Sequence, residues 1–187
     1  MSVIDPEKGL LPDARFVPSP NCNARPIGMS IDLLVIHGIS LPPGEFGGDA
    51  IEALFTNTLD VDAHPGFAGL RDLEVSAHLL IRRDGELVQF VPFGERAWHA
   101  GVSTFEGRAG CNDFSIGVEL EGTDDIPYTN AQYRRLIAVA GALMKAYPGI
   151  TPERVVGHVD IAPGRKTDPG PVFDWQRFRF GLLESRR

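Results

Sequence analysis

Only two cysteines occur in the chain, Cys22 and Cys111, far apart and without a C-x-x-C pair. That spacing excludes both a disulfide framework and a zinc-thiolate site, so any bound metal must be held by histidine and carboxylate. Long apolar runs are also missing: no stretch approaches the roughly 18 continuous apolar residues of a membrane span, and no membrane partner is expected. The opening residues, MSVIDPEKGLLPDAR, have neither a basic n-region nor an apolar h-region, so a cytoplasmic protein is expected. Positive charge is in deficit, with 18 Lys and Arg against 25 Asp and Glu, which leaves no broad basic field for duplex nucleic acid. No internal repeat is visible. At 187 residues and 43% hydrophobic, the chain is expected to form one α/β domain, and a monomer.

Proline and glycine, in contrast, are frequent and cut the chain into short elements. Residues 1–30, with SPNCNARP at their centre, show no periodicity and read as an extended arm packed on the domain. In IDLLVIHGIS, the unbroken apolar run 33–36 predicts a strand buried on both faces, closed by His37. Asp49 is expected to cap a helix carrying Ile51, Leu54, Phe55 and Leu59 at helical spacing, with Glu52 completing a capping pair. Segments 38–48 and 60–73 are long excursions of the kind that wall a cleft. The stretch EVSAHLLIRRDGELVQFVP places two β-rich runs around Asp84-Gly85, a hairpin signal. In SIGVELEG, Ile116, Val118 and Leu120 alternate with Gly117, Glu119 and Glu121. Thr129 and Gln132 form a capping box for a helix striped by Tyr133, Leu136, Ile137, Ala140, Leu143, Met144 and Tyr147, which Pro148 stops. A strand RVVGH, a proline-pinned loop, and a last helix capped by Asp174 with Trp175, Phe178 and Leu182 on one face complete the chain. One antiparallel hairpin among alternating strands and helices predicts a central mixed sheet flanked by helices.

Chemistry concentrates in VVGHVDIAPGRKTDPG, which carries a histidine, two aspartates and a lysine between prolines. His37 and His158 each end an apolar run, the position where a sheet presents side chains to a cleft. A catalytic zinc takes three His or carboxylate ligands and leaves a fourth position for water. His37 and His158 supply two, and the third is Asp160, at i+2 on the same expected strand face, or Asp168 in the pinned loop, expected to be extended so that Lys166 and Asp168 point the same way. Glu119 suits a general base, although a solvated Glu119 and Glu121 face is equally compatible with the alternation. Lys166 is the cation available to stabilise a developing oxyanion. Trp98 and His99, in AWHAG, suit a ligand wall, and His64 and His78 read as structural.

Five stretches, LLVIHGISLPPGEFGG, VSAHLLIRRDGELVQFVP, RAWHAGVS, CNDFSIGVELEGTD and GHVDIAPGRKTDPG, together resemble the AmpD-type anhydromuramyl-peptide amidases. These belong to the zinc amidase family that also includes phage lysozyme-like amidases and peptidoglycan recognition proteins. The resemblance spans nearly the whole chain and implies a single zinc amidase domain over 1–187. It also implies Zn2+ on His37, His158 and Asp168, with Glu119 as the catalytic carboxylate and Lys166 as the oxyanion partner. Trp98 would fall in the cleft lining. The implied reaction cleaves the amide between the lactyl group of 1,6-anhydro-N-acetylmuramic acid and L-alanine, in cytoplasmic peptidoglycan recycling. Rival readings are an amidase acting on polymeric peptidoglycan and a non-catalytic muropeptide receptor. Two positions depart from the pattern: Gly38 stands where the family often has Asn, and Val159 where Cys is common.

Overall fold

The computed structural model describes residues 4, 5 and 7–185. Its frame is a six-stranded mixed sheet in the spatial order β1 (Arg15–Phe16), β5 (Leu87–Gln89), β4 (Leu79–Ile81), β9 (Ser115–Glu121), β3 (Leu33–Ile39) and β10 (Val155–Gly157). Strand β3 runs parallel to both β9 and β10, β4 runs parallel to β9, and β4 and β5 form the expected antiparallel hairpin. Two short ribbons pair β2 (Cys22–Asn23) with β6 (Arg96–Ala97) and β7 (Thr104–Phe105) with β8 (Arg108–Ala109).

Alternation along β3 and β9 divides the core. Leu34 and Ile36, with Ile116, Val118 and Leu120, lie in one cluster with residues of α2 (Asn130–Ala146) and α4 (Trp175–Glu184). Leu33 and Val35 pack on the opposite side with Ala100, Cys111, Phe114 and Ile161. A third cluster joins Ile51, Leu54 and Phe55 of α1 (Ala50–Phe55) to Leu80, Val88 and Phe90. Helix α2 begins as its capping box dictates: Thr129 Oγ1 accepts from the Gln132 amide at 3.1 Å, and Gln132 Oε1 from the Thr129 amide at 3.0 Å. Asp174 caps α4 by accepting from the Arg177 amide at 2.8 Å. The result is one mixed α/β domain, and among the described residues no helix is long and apolar enough to cross a membrane.

Several boundaries differ from the sequence expectation. Within the expected arm over 1–30, residues 1–3 and 6 lie outside the described residues. The remainder contributes β1 to the edge of the sheet and β2 to a ribbon. Helix α1 stops at Phe55, short of Leu59, and Asp49 forms no side-chain cap. Glu52 is not its capping partner either. It accepts from Arg15 at 2.7 and 2.8 Å and from Arg82 at 2.7 Å. Charge-assisted bonds to guanidinium outcompete a neutral backbone amide. Strand β10 ends at Gly157, and His158 opens a one-turn helix, α3 (His158–Ile161), because Asp160 Oδ2 folds back to accept from the Gly157 amide at 2.7 Å.

The Glu52 cluster ties β1, α1 and the β4–β5 hairpin together, and Glu86 accepts from Arg15 Nε at 3.0 Å in the same group. Hydrogen bonding by Arg15 holds the Glu52 carboxyl at about 2, against an ordinary 4.5. Such a depressed carboxyl stabilises the fold fully above the unfolded value, and the contribution fades as pH falls through the folded one. Glu52→Gln is therefore expected to lower stability by about 1–2 kcal/mol at neutral pH. In urea titrations at pH 7 and pH 3, the gap from the wild type should narrow at the lower pH, and a gap that widens there contradicts the assignment.

Candidate metal centre

Three parallel strands deliver their carboxyl ends to one edge, where open sheets usually place their ligands. His37 on β3 is in register with Glu119 on β9, on the face shared by Leu33 and Val35. His158 follows β10 directly, and β10 stays paired with β3 as far as Gly157 opposite Ile36. Asp168 arrives from the loop after α3. That loop is not extended as expected. The Lys166 amide donates to the Ala162 carbonyl, the Gly170 amide to Thr167 and the Val159 amide to Asp168, each at 3.0 Å, so backbone bonding folds it back on α3.

His37, His158 and Asp168 converge. Their Nδ1 atoms lie 2.9 Å apart, and Asp168 Oδ2 is 3.2 Å from Nδ1 of His37 and 3.0 Å from Nδ1 of His158. Both histidines are buried and the aspartate is partly so. The outer nitrogens look away from the cluster: His158 Nε2 lies 3.2 Å from the Ala100 carbonyl, and His37 Nε2 lies 2.9 Å from His99 Nδ1. A carbonyl only accepts, so His158 donates from Nε2, the tautomer that turns its Nδ1 lone pair inward. Burial holds the His37 imidazole near 4, hence neutral at physiological pH. Ligand atoms about 2.0–2.1 Å from a tetrahedral zinc lie about 3.3 Å from one another, close to the spacings seen. Nitrogen and carboxylate oxygen are the donor set zinc accepts, so the residues fit the ion. Asp160, the alternative third carboxylate, commits Oδ2 to the Gly157 amide.

The structure also separates the two glutamates that alternation left equivalent. Glu121 is fully engaged: Oε1 accepts from the Gly47 amide at 2.6 Å and lies 3.4 Å from Arg82 Nη1, while Oε2 accepts from the Arg83 amide at 3.1 Å. Glu119 Oε2 is buried with no hydrogen-bond partner among the described residues. Burial first, and then the charge of Asp168, push its carboxyl well above the ordinary range, with Lys166 opposing. An unpaired acid with a raised pKa beside three metal-type donors is equipped for proton transfer. Lys166 is exposed on the loop and makes no side-chain hydrogen bond among the described residues.

Of the expected ligand wall, Trp98 is partly buried and its Nε1 donates to Asn23 Oδ1 at 2.8 Å. His99 differs from expectation. It is buried, with Nδ1 facing His37 and Nε2 at 3.0 Å from Ser115 Oγ, so neither nitrogen is free to meet a ligand. Two contributors escaped the sequence reading, and Gly38 gains a role that it did not foresee. Arg165 Nη2 donates to the Ala100 and Val102 carbonyls, both at 2.7 Å, fastening the loop to the segment beside His99. Tyr128, just before the α2 capping box, donates its hydroxyl to the Pro169 carbonyl at 2.9 Å. Gly38 makes room for it, since a Cβ there would stand 2.4 Å from the Tyr128 oxygen. Nothing local in the sequence announces these contacts, which join residues far apart in the chain.

The chain is similar to known amidases. The family model for N-acetylmuramoyl-L-alanine amidase matches residues 27–171. The 1,6-anhydro-N-acetylmuramyl-L-alanine amidase AmpD of Escherichia coli strain K12 is 63% identical over 173 residues, covering 92% of this chain and 94% of its own. A crystal structure of a selenomethionine AmpD derivative superposes with a TM-score of 0.91 at 62% identity, covering 94% of this chain and 97% of that one. The E. coli amidase AmiD, solved in complex with the substrate anhydro-N-acetylmuramic acid-L-Ala-D-gamma-Glu-L-Lys, gives a TM-score of 0.59 at 34% identity, covering 84% of this chain and 60% of that one.

The Gly38 and Tyr128 pair can be tested directly. With Gly38→Ala the hydroxyl must move, at an expected cost of about 1–3 kcal/mol. In a Tyr128→Phe background the next atoms, Pro169 Cα at 3.6 Å and the ring Cζ at 3.7 Å, are in ordinary contact, so the same change should cost much less. A double-mutant cycle by chemical denaturation reads this coupling. Additive costs would show that Tyr128 does not fill the space left by Gly38.

Proposed function

The chain belongs to the N-acetylmuramoyl-L-alanine amidase family, and we propose that it hydrolyses the amide between the lactyl group of 1,6-anhydro-N-acetylmuramic acid and L-alanine in soluble muropeptides, within cytoplasmic peptidoglycan recycling. The observation that carries this reading is the meeting of three inward lone-pair donors, on His37, His158 and Asp168, beside an unpaired buried glutamate. The substrate assignment draws on relatives named for that amidase activity and on the AmiD complex. The chain as a whole, residues 1–187, is taken as one zinc amidase domain with 1–30 as its arm.

His37, His158 and Asp168 would hold the ion through Nδ1, Nδ1 and Oδ2. A zinc ion, when bound, supplies a Lewis acid that activates water near neutral pH and polarises a carbonyl oxygen. Glu119 takes the proton of the attacking water and returns it to the nitrogen of the departing L-alanine, so that water and amide become a carboxylic acid and an amine. A carboxyl that burial holds well above the ordinary range keeps an accepted proton more readily than a free carboxylate and can then donate it, so it serves both halves of that exchange. Lys166 contributes positive charge to the oxygen that becomes negative during attack, and the loop bonds from Ala162 and Thr167 limit where it can reach. Trp98 is proposed as a contact for the substrate at the edge of the same site.

Metal analysis of the purified protein, with a mass-spectrometric assay on a 1,6-anhydromuropeptide, tests the reading. Removing metal with a chelator should abolish release of the peptide, and zinc should restore it. Glu119→Gln should lower kcat by about 10²- to 10⁴-fold while zinc is retained. Full activity of Glu119→Gln, or of metal-free protein, would sink the mechanism. Release of soluble peptide from intact sacculi at comparable rates would move the substrate to polymeric peptidoglycan, and tight binding without turnover would make the protein a receptor.

A further inference from the structure

His99 lies where the mechanism above does not use it, buried beneath the cluster, and its hydrogen bonds have a direction that can be worked out. The chain of contacts ends on the Cys111 carbonyl, which can only accept, so the Ser115 hydroxyl at 2.5 Å must donate to it. Ser115 Oγ is then left as an acceptor toward His99 Nε2, at 3.0 Å, which must carry the proton. A neutral imidazole protonated on Nε2 accepts on Nδ1, and the atom facing His99 Nδ1 is Nε2 of His37, at 2.9 Å. His37 therefore donates from Nε2 and keeps its lone pair on Nδ1, the atom that faces Nδ1 of His158 and Oδ2 of Asp168.

The next residue does the same for the other histidine. The Ala100 carbonyl accepts from His158 Nε2 at 3.2 Å and leaves that Nδ1 lone pair inward as well. One dipeptide thus governs the tautomer of both histidines, and it is held in place independently of them. The side-chain oxygen of buried Asn112 accepts from the His99 amide at 3.1 Å and the Ala100 amide at 2.8 Å, and Arg165 Nη2 donates to the Ala100 carbonyl at 2.7 Å. The floor under the His99 ring is Gly117, where a Cβ would stand 2.4 Å from the ring Cγ and 2.5 Å from Nδ1. A buried ring with both nitrogens committed and seated close over Gly117 is a support rather than a ligand contact.

We propose that His99 is a positioning residue: through Ser115 and the Cys111 carbonyl it locks the proton of His37 on Nε2 and so presents the Nδ1 lone pair for metal binding, as Ala100 does for His158. The inference rests on the reading of His37, His158 and Asp168 as a zinc site. Outer partners that set a ligand's orientation and tautomer typically carry 10- to 100-fold in metal affinity.

The experiment uses the full chain and two readouts. Long-range proton–nitrogen NMR of the metal-free protein reports the tautomer of His37, and competition with a chromophoric chelator reports zinc affinity. Wild-type His37 should be a single Nε2–H tautomer. His99→Leu should allow an Nδ1–H population and weaken zinc binding by about 10- to 100-fold. His99→Gln, whose amide can accept from His37 and donate to Ser115, should restore both toward wild type. Should His99→Leu fail to fold, Ser115→Ala leaves the ring in place while removing its acceptor, and the Nδ1–H form of His37 should rise there. The inference is overturned if His37 keeps one Nε2–H tautomer in His99→Leu or, failing that variant, in Ser115→Ala. Unchanged zinc affinity in the variant overturns it equally. A wild type that binds no zinc overturns the function proposed above instead, and the tautomer measurement on the metal-free chain still decides the role of His99.

Discussion

The parallel pairing of β3 with β9 is the constraint on which the site depends. It runs from Leu33 opposite Ser115 to Ile39 opposite Glu121, and its fifth pair sets His37 beside Glu119. A slip of one residue would carry either strand's polar set through the sheet into the cluster with α2 and α4, which Leu34, Ile36, Ile116, Val118 and Leu120 occupy. Burying an imidazole or carboxylate there without a partner costs several kcal/mol, so the register that packs the core is the one that assembles the site. The first two positions on the other face of β9 are small for a related reason. Ser115 gives the His99 ring an acceptor and Gly117 gives it room, and larger side chains at either place would close the space below His37.

Three carboxylates within this neighbourhood show how environment assigns different roles to one functional group. Glu121, two residues from Glu119 on the same strand face, is satisfied by Gly47, Arg82 and Arg83 and serves to tie the loop 38–48 and the hairpin to the end of β9. Asp168 turns Oδ2 toward the Nδ1 atoms of two imidazoles, 3.2 and 3.0 Å away. Glu119 has one buried oxygen with no partner among the described residues, and burial favours its protonated form. A hydrogen-bonded carboxylate is a strut, one set among nitrogen donors is a candidate ligand, and an unpaired one near them is the group able to exchange a proton.

Much of this was legible in the chain before folding. The alternation of SIGVELEG, the apolar run before His37, the Thr129 and Asp174 caps and the Asp84-Gly85 turn each correspond to an element of the structure, because each depends on residues close in sequence. His37, Glu119, His158 and Asp168 were visible as candidates for the same reason. What stayed hidden was set by contacts across the fold. Glu52 reads as a capping residue until Arg15 and Arg82 are brought beside it. His158 reads as the end of a strand until the Asp160 side chain turns back on the Gly157 amide. Alternation placed Glu119 and Glu121 on one face, and only the guanidinium and amides around Glu121 distinguish them. Similarly, Gly38 reads as a loss of side chain until the Tyr128 hydroxyl is found in the space.

The distribution of tied and untied groups bears on how the site works. His37, His158 and Asp168 are each braced from behind: His99 and Ala100 engage the two imidazoles, and Tyr128 and Arg165 fasten the loop that carries Asp168. Bracing fixes donors before any ligand arrives, which spares the binding step the ordering entropy of three side chains. Glu119 Oε2 and the Lys166 ammonium, by contrast, have no side-chain partner among the described residues. A group that must gain and lose a proton, or meet charge that exists only during attack, is useless if a permanent partner already satisfies it. Leaving Glu119 Oε2 unpaired in a buried position costs stability, and that cost is localised at the one carboxyl to which the proposed function assigns proton transfer.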